Sequence, residues 1–98
     1  MFKGFQTYEL AVQLYRRCEQ IKAKAYLRDQ LLRASLSIVL NVAEGSGKPT
    51  PKEQRRFYGI ALGSLRETAA ILGILNQAEA STQAHRLGGF LYRLVHPK

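Results

Sequence analysis

The chain has 98 residues, which is enough for one small domain spanning residues 1–98. Apolar residues make up 46% of it, and this share favours a folded core over disorder. Fifteen Lys and Arg against seven Asp and Glu give a net charge of +8, which predicts a polyanionic partner. Many basic proteins bind no polyanion, so the charge alone leaves that alternative open. The single cysteine, Cys18, excludes an internal disulfide.

The first residues, MFKGFQTYEL, contain no apolar core and no cleavage site, so we do not expect a signal peptide. No uninterrupted apolar run in the sequence approaches the length needed to span a bilayer. Together with the unpaired cysteine, these features predict a cytoplasmic protein that does not contact a membrane.

Apolar residues recur at helical spacing along the chain, and strand-like alternation is absent. The first helix is predicted over about residues 8–21, with Thr7 as its N-cap. The second is predicted over about residues 27–44, and Gly45 and Gly47 are expected to end it.

The third helix is predicted over about residues 51–76. Thr50 is the expected N-cap, Pro51 the first helical residue and Glu53 the third, which together form a capping box with a preset first turn. This is the best-defined helix start in the sequence.

The fourth helix is predicted to begin after Ser81 or Thr82 and to end near Val95. Gly88 and Gly89 lie inside it and lower its helix propensity. Short connections between four helices predict an all-α, antiparallel up-down-up-down four-helix bundle.

A polar stripe runs along the second helix, which is otherwise apolar on nearly all sides. The stripe comprises Gln30, Arg33, Ser37, Asn41 and Glu44, spaced three or four residues apart. The pairs expected across an antiparallel hairpin are Glu44 with Arg56, Ser37 with Gly63 and Ser64, and Arg33 with Glu67.

Two interpretations of this stripe are open. The one we favour is a buried network that fixes the register of the two helices and makes loss of either partner costly. Gly59 and Gly63 would then let the two backbones approach closely. The alternative is a ligand pocket lined by Arg33, Asn41, Glu44 and Glu67.

These segments resemble a known family. The matching runs are QLLRASLSI at residues 30–38, NVAEGSGK at 41–48, RF at 56–57, IA at 60–61 and GSLRE at 63–67, with a looser match in YELAV at 8–12. They resemble the bacterial four-helix-bundle family that includes proteins encoded in intervening sequences of large-subunit ribosomal RNA genes. The resemblance implies a homopentameric ring. That family is similar to the accessory protein of diversity-generating retroelements, so nucleic acid and a reverse transcriptase are further implied partners. A short, glycine-containing fourth helix departs from the family pattern.

The sequence predicts no cofactor, metal or catalytic site. No group of His, Cys, Asp and Glu has metal-ligand spacing, and Ser37 and Ser64 have no histidine near them in the sequence. The glycines before Lys48 follow a helix and lack the spacing of a phosphate-binding loop. An enzyme is therefore the last-ranked class of function.

Basic residues are the better candidates, and they form two clusters. The first, at the end of helix one and the start of helix two, comprises Arg16, Arg17, Lys22, Lys24 and Arg28. The second, around the start of helix three, comprises Lys48, Lys52 and Arg55. Cations at a helix start oppose the helix dipole, so Lys52 and Arg55 indicate phosphate contacts, with a merely solvated surface as the alternative.

The sequence therefore predicts a non-enzymatic, nucleic-acid-binding homo-oligomer, with RNA favoured over DNA as the partner. Two alternatives remain: an accessory protein of a reverse transcriptase, and an interaction scaffold whose basic surface meets an acidic protein.

Overall fold

The computed structural model describes residues 4–97, which form four α-helices. Their bounds are α1 Phe5–Glu19, α2 Ala25–Ser46, α3 Pro51–Ile74 and α4 Ala78–Val95. These residues contain no strand, so the predicted all-α four-helix bundle is confirmed. They extend over 40 × 20 × 20 Å, as expected when the longest helix has 24 residues.

The start of α3 is where the sequence predicts it. The Thr50 hydroxyl accepts a hydrogen bond from the Glu53 backbone N–H at 3.2 Å and donates one to Glu53 Oε1 at 3.1 Å. Pro51 is the first helical residue and has no N–H that would need a partner. The predicted N-cap is confirmed, and the Glu53 carboxylate is engaged within this cap.

The predicted start of α1 is wrong by about one turn. The helix begins at Phe5, with Gly4 as N-cap, so Thr7 lies inside the helix and is buried. Gly4 has no side chain that could form a cap hydrogen bond, and a cap of this kind leaves little trace in a sequence.

The predicted start of α4 is also too late. The helix begins at Ala78 after Gln77, whose side chain makes no cap hydrogen bond. Thr82 therefore lies inside α4, where its hydroxyl donates to the carbonyl of Ala78 at 3.1 Å. The helix has 18 residues, so the prediction of a short fourth helix is wrong. Gly88 faces α3, where a Cβ would lie 3.5 Å from the Leu65 side chain.

Each helix packs against two neighbours around a shared core. α1 and α3 both contact α2 and α4. The large side chains that are fully buried include Leu14, Leu31, Ile38, Leu72, Leu87, Leu91 and Tyr58. Each buried leucine or isoleucine contributes about 1.5–3 kcal/mol of transfer free energy, so this core dominates the stability of the bundle.

Three buried hydroxyls, those of Ser35, Thr68 and Tyr58, have hydrogen-bond partners. Ser35 Oγ donates to the Leu31 carbonyl at 2.8 Å, and Thr68 Oγ1 donates to the Ser64 carbonyl at 2.9 Å. Tyr58 is 1% exposed, and its hydroxyl forms a 3.0 Å hydrogen bond with Ser46 Oγ. Within residues 4–97, no helix is both long and apolar enough to cross a membrane.

Candidate nucleic-acid interface

The centre of the predicted polar stripe joins α2 to α3. Ser37 Oγ and Ser64 Oγ lie 2.8 Å apart and share a hydrogen bond. Asn41 Nδ2 donates to the Ser37 carbonyl at 2.9 Å and to Ser37 Oγ at 3.1 Å. All three side chains are half-buried, and the contact between Ser37 and Ser64 lies where the sequence places it.

The charged ends of the stripe differ from the prediction. Glu44 pairs with Lys48 at 3.0 Å, and Arg56 instead lies 5.2 Å from the centre of the Phe57 ring. Arg33 and Glu67 are exposed, and neither forms an ion pair with another described residue. The predicted pairs Glu44–Arg56 and Arg33–Glu67 are therefore wrong within one chain. Because these side chains stand in water, a pair between them would gain only about 0–1 kcal/mol, too little to fix their positions.

The prediction that Gly59 and Gly63 bring α2 and α3 together is also wrong. A Cβ added at either glycine would meet nothing within 4 Å. Both glycines therefore lie on the outer side of the bundle, where they make the surface of α3 shallow.

We call this outer surface the α2–α3 face. It comprises Arg33, Leu36, Ser37, Leu40, Asn41 and Glu44 on α2, and Arg56, Gly59, Ile60, Gly63 and Glu67 on α3. Three of its apolar side chains are substantially exposed: Leu36 at 39%, Leu40 at 57% and Ile60 at 43%. The face thus combines exposed apolar groups, small residues and charges of both signs.

In the first predicted basic cluster, two of the five cations are engaged. Arg17 pairs with Glu79 at the start of α4 at 3.3 Å, and Arg28 donates to the carbonyl of Glu19 at 3.0 Å, which caps the end of α1. Arg16, Lys22 and Lys24 are exposed and form no ion pair within the described part of the chain.

An open, polar pocket of about 480 Å³ lies beside this cluster. It is lined by Arg17, Gln20, Ile21, Lys22, Gln77, Ala78, Glu79 and Ala80. Glu79 occupies one side of it and neutralises Arg17, so Lys22 is the lining cation that stays without a counter-charge among residues 4–97. The pocket should therefore attract an anion less strongly than its position beside the basic cluster suggests.

In the second predicted cluster, Lys48 is engaged by Glu44 and lies 5.1 Å from the centre of the Phe57 ring. Lys52 and Arg55 are exposed and have no ion-pair partner in residues 4–97. Arg55 and Arg93 line the same pocket, because the start of α3 lies beside the end of α4.

Arg93 is a cation of this region that the sequence does not indicate. The residue lies in the last turn of α4, 38 positions beyond Arg55, and only the packing of α3 against α4 brings it to the second cluster. Among the described residues, no three His, Cys, Asp or Glu side chains are placed to hold a metal ion.

Comparison with protein families identifies a match that covers most of the chain. The model of the family described as "23S rRNA-intervening sequence protein" matches residues 5–87. This region contains all of α1, α2 and α3, both predicted basic clusters and the α2–α3 face. No curated protein and no solved structure matches the chain.

Proposed function

Because the chain belongs to the 23S rRNA-intervening sequence protein family, we propose that it binds structured RNA through the exposed cations at the ends of its helices. Binding would occur without base-specific readout and without a catalytic step. Phosphate neutralisation and the release of counterions would supply the binding free energy.

The observation that carries this proposal is the pair Lys52 and Arg55 in the first turns of α3. Both are exposed, and the one acidic side chain in the first turn, Glu53, is bonded to Thr50. Cations at a helix N-terminus oppose the dipole at a cost of about 0.3–1 kcal/mol each. A phosphate bound by these two cations would offset their unfavourable interaction with the helix dipole.

The first cluster offers further cations, at the other end of α2. Arg16, Lys22 and Lys24 remain available after Arg17 and Arg28 have taken up partners inside the chain. The two clusters lie at opposite ends of α2, a helix of 22 residues and therefore about 33 Å long, so a single RNA that contacts both must span that length.

We also propose that the bundle has the up-down-up-down antiparallel order and assembles with itself through the α2–α3 face. The unpaired Arg33 and Glu67 supply charges of opposite sign, and Gly59 and Gly63 leave room for a close helix contact. Exposed apolar groups on such a face are typical of a protein–protein contact. The pentameric ring that the family resemblance implies is the expected form.

Nitrocellulose filter binding tests the RNA proposal. A structured RNA hairpin and a DNA hairpin of the same sequence are titrated with the protein at several salt concentrations between about 50 and 200 mM, the range over which phosphate contacts are most salt-sensitive. We expect RNA binding at low salt, a linear fall of log K with log salt, and weaker binding of the DNA. Absence of RNA binding at the lowest salt would overturn the proposal.

An acidic protein partner is the competing hypothesis, and binding of a polyglutamate but not of RNA in the same assay would support it. No feature of the described residues favours the reverse-transcriptase alternative, which stays a prediction of the resemblance.

A further inference from the structure

A small pocket lies where the start of α3 meets the end of α4. Its volume is about 190 Å³, and it is lined by Pro51, Gln54, Arg55, Tyr58, Arg93, Leu94 and Pro97. Pockets for whole small-molecule ligands measure about 300–1,000 Å³. This one therefore has room for one ring or one side chain, with the rest of the occupant outside.

Residues 4–97 give the pocket two positive charges and no counter-charge. Arg55 and Arg93 both line it, and neither forms an ion pair with another residue of the described chain. Arg93 lies 4.9 Å from the centre of the Phe90 ring, a cation–π contact that holds its guanidinium in place. The N-terminus of α3 adds the positive end of its dipole. An anion at the mouth of the pocket would relieve this repulsion.

The lining combines this charge with an apolar interior. Pro51, Leu94 and Pro97 supply apolar walls. Gln54 also lines the pocket, and because it donates from Nε2 to the Lys48 carbonyl at 3.1 Å, its Oε1 is not used by that bond. A flat, mostly apolar ring with a donor group, joined to an anion, fits this arrangement, and a nucleotide has these parts.

We infer that the pocket holds one unpaired base of the bound RNA while Arg55 and Arg93 contact the neighbouring phosphates. This inference rests on the proposed function and locates one of the RNA contacts at this pocket. The base must be unpaired, because a base inside an RNA helix is stacked and paired and cannot enter a pocket of this size. A nucleotide in a loop or at a strand end meets this requirement.

The site lies partly outside the residues that the family model matches. Arg93, Leu94 and Pro97 all lie after residue 87, where the match ends. Arg55 has a binding role predicted from the sequence, and the pocket exists because α4 returns to the start of α3.

Nuclear magnetic resonance of the isotopically labelled full chain tests the inference, with adenosine 5′-monophosphate as probe and inorganic phosphate as its control. We expect the monophosphate to shift the resonances of Leu94 and Pro97, and inorganic phosphate to leave them in place. Arg93→Gln should weaken monophosphate binding at least about tenfold, the effect expected when one charged hydrogen bond is removed. The matched variant Arg86→Gln, which removes an exposed charge from the middle of α4, should weaken it less than about twofold.

RNA binding by the same variants separates this inference from the proposed function. A hairpin with an unpaired loop should bind more tightly than a blunt duplex of equal length, and Arg93→Gln should remove that preference. If RNA binds but hairpin and duplex bind equally, and Arg93→Gln behaves as Arg86→Gln does, the pocket inference is wrong while the proposed function stands. If no RNA binds at low salt, both are wrong. A peptide ending in a leucine carboxylate that shifts the pocket resonances when the monophosphate does not would also contradict the inference.

Discussion

Ser37 and Ser64 join α2 to α3 through a 2.8 Å hydrogen bond between their hydroxyls, whereas Arg33 and Glu67, one turn away, stand unpaired in solvent. Two small polar groups and the apolar core beneath them therefore hold the two helices together. The charges of the same stripe are left on the outer surface, where they are free to meet another molecule.

The first prediction concerns self-association through the α2–α3 face. Gly63→Gln places a side chain where a Cβ meets nothing in its own chain, so the bundle should fold and gain about 0.5 kcal/mol of helix propensity. The same side chain would block a second copy. Light scattering should show a smaller particle for Gly63→Gln than for the unchanged chain.

Gly89→Gln is the matched control, because a Cβ at Gly89 also meets nothing within 4 Å but the residue lies on α4. It should leave the particle mass unchanged. Equal masses for all three proteins would contradict assembly through this face.

The second prediction concerns the serine pair. In the Gly63→Gln background, where subunit dissociation does not contribute, Ser37→Ala and Ser64→Ala should each lower the free energy of unfolding by about 1 kcal/mol. Arg33→Ala and Glu67→Ala should each change it by less than about 0.5 kcal/mol, because both side chains are exposed and unpaired. Urea unfolding measures both sets. If Arg33→Ala and Glu67→Ala lowered the free energy of unfolding more than the two serine variants, that result would support the buried charged network predicted from the sequence.

The third prediction concerns two glycines that look alike in the sequence. Gly45 lies inside α2, and a Cβ there would lie 2.9 Å from Tyr58 Cε1, whereas a Cβ at Gly47 would come no closer than 3.7 Å to Glu44 O. Because the Tyr58 ring is buried and packed in the core, Gly45→Ala should cost about 1–3 kcal/mol. Gly47→Ala should be close to neutral. Thermal melts of the two variants should separate clearly, and equal melting temperatures would show that Tyr58 can shift.

The fourth prediction concerns Cys18. The residue is fully buried, and burial raises the pKa of its thiol above the ordinary value, an effect that a hydrogen bond with Ser35 partly offsets. Iodoacetamide should therefore leave Cys18 unmodified at about pH 8 in native buffer and modify it in concentrated urea. The contribution of this shift to stability is complete below the ordinary thiol pKa and is lost as pH rises through the raised pKa. Rapid alkylation of the native protein would contradict the burial.

The sequence predicts those features of the fold that are signalled locally. Thr50, Pro51 and Glu53 mark the start of α3 because each contributes its own side chain or ring to the cap. Gly4 and Gln77 begin α1 and α4 without a side-chain cap, and for this reason the sequence predicts both starts too late.

The candidate site is predicted less completely, because it depends on contacts between helices. Periodicity places Arg33, Ser37 and Asn41 on one side of α2, but it does not show whether that side is covered. Gly59 and Gly63 are accordingly predicted at a helix contact and found on the outer surface. Arg93 reaches Arg55 only through the packing of α4 on α3, for which no spacing within either helix gives a signal.

Unpaired cations at the start of α3 should bind RNA phosphates, and a salt titration of two double variants is the sharpest test of this binding. Lys52→Gln with Arg55→Gln removes the cluster, while Arg66→Gln with Arg86→Gln removes the same charge from exposed positions in the middle of α3 and α4. The first variant should bind a structured RNA hairpin more weakly and with a shallower salt dependence, by about 0.7–0.9 in slope for each phosphate that it no longer neutralises. The second should keep nearly the full slope. An equal reduction of slope in the two variants, or no RNA binding at low salt by the unchanged chain, would show that Lys52 and Arg55 do not form the RNA contact.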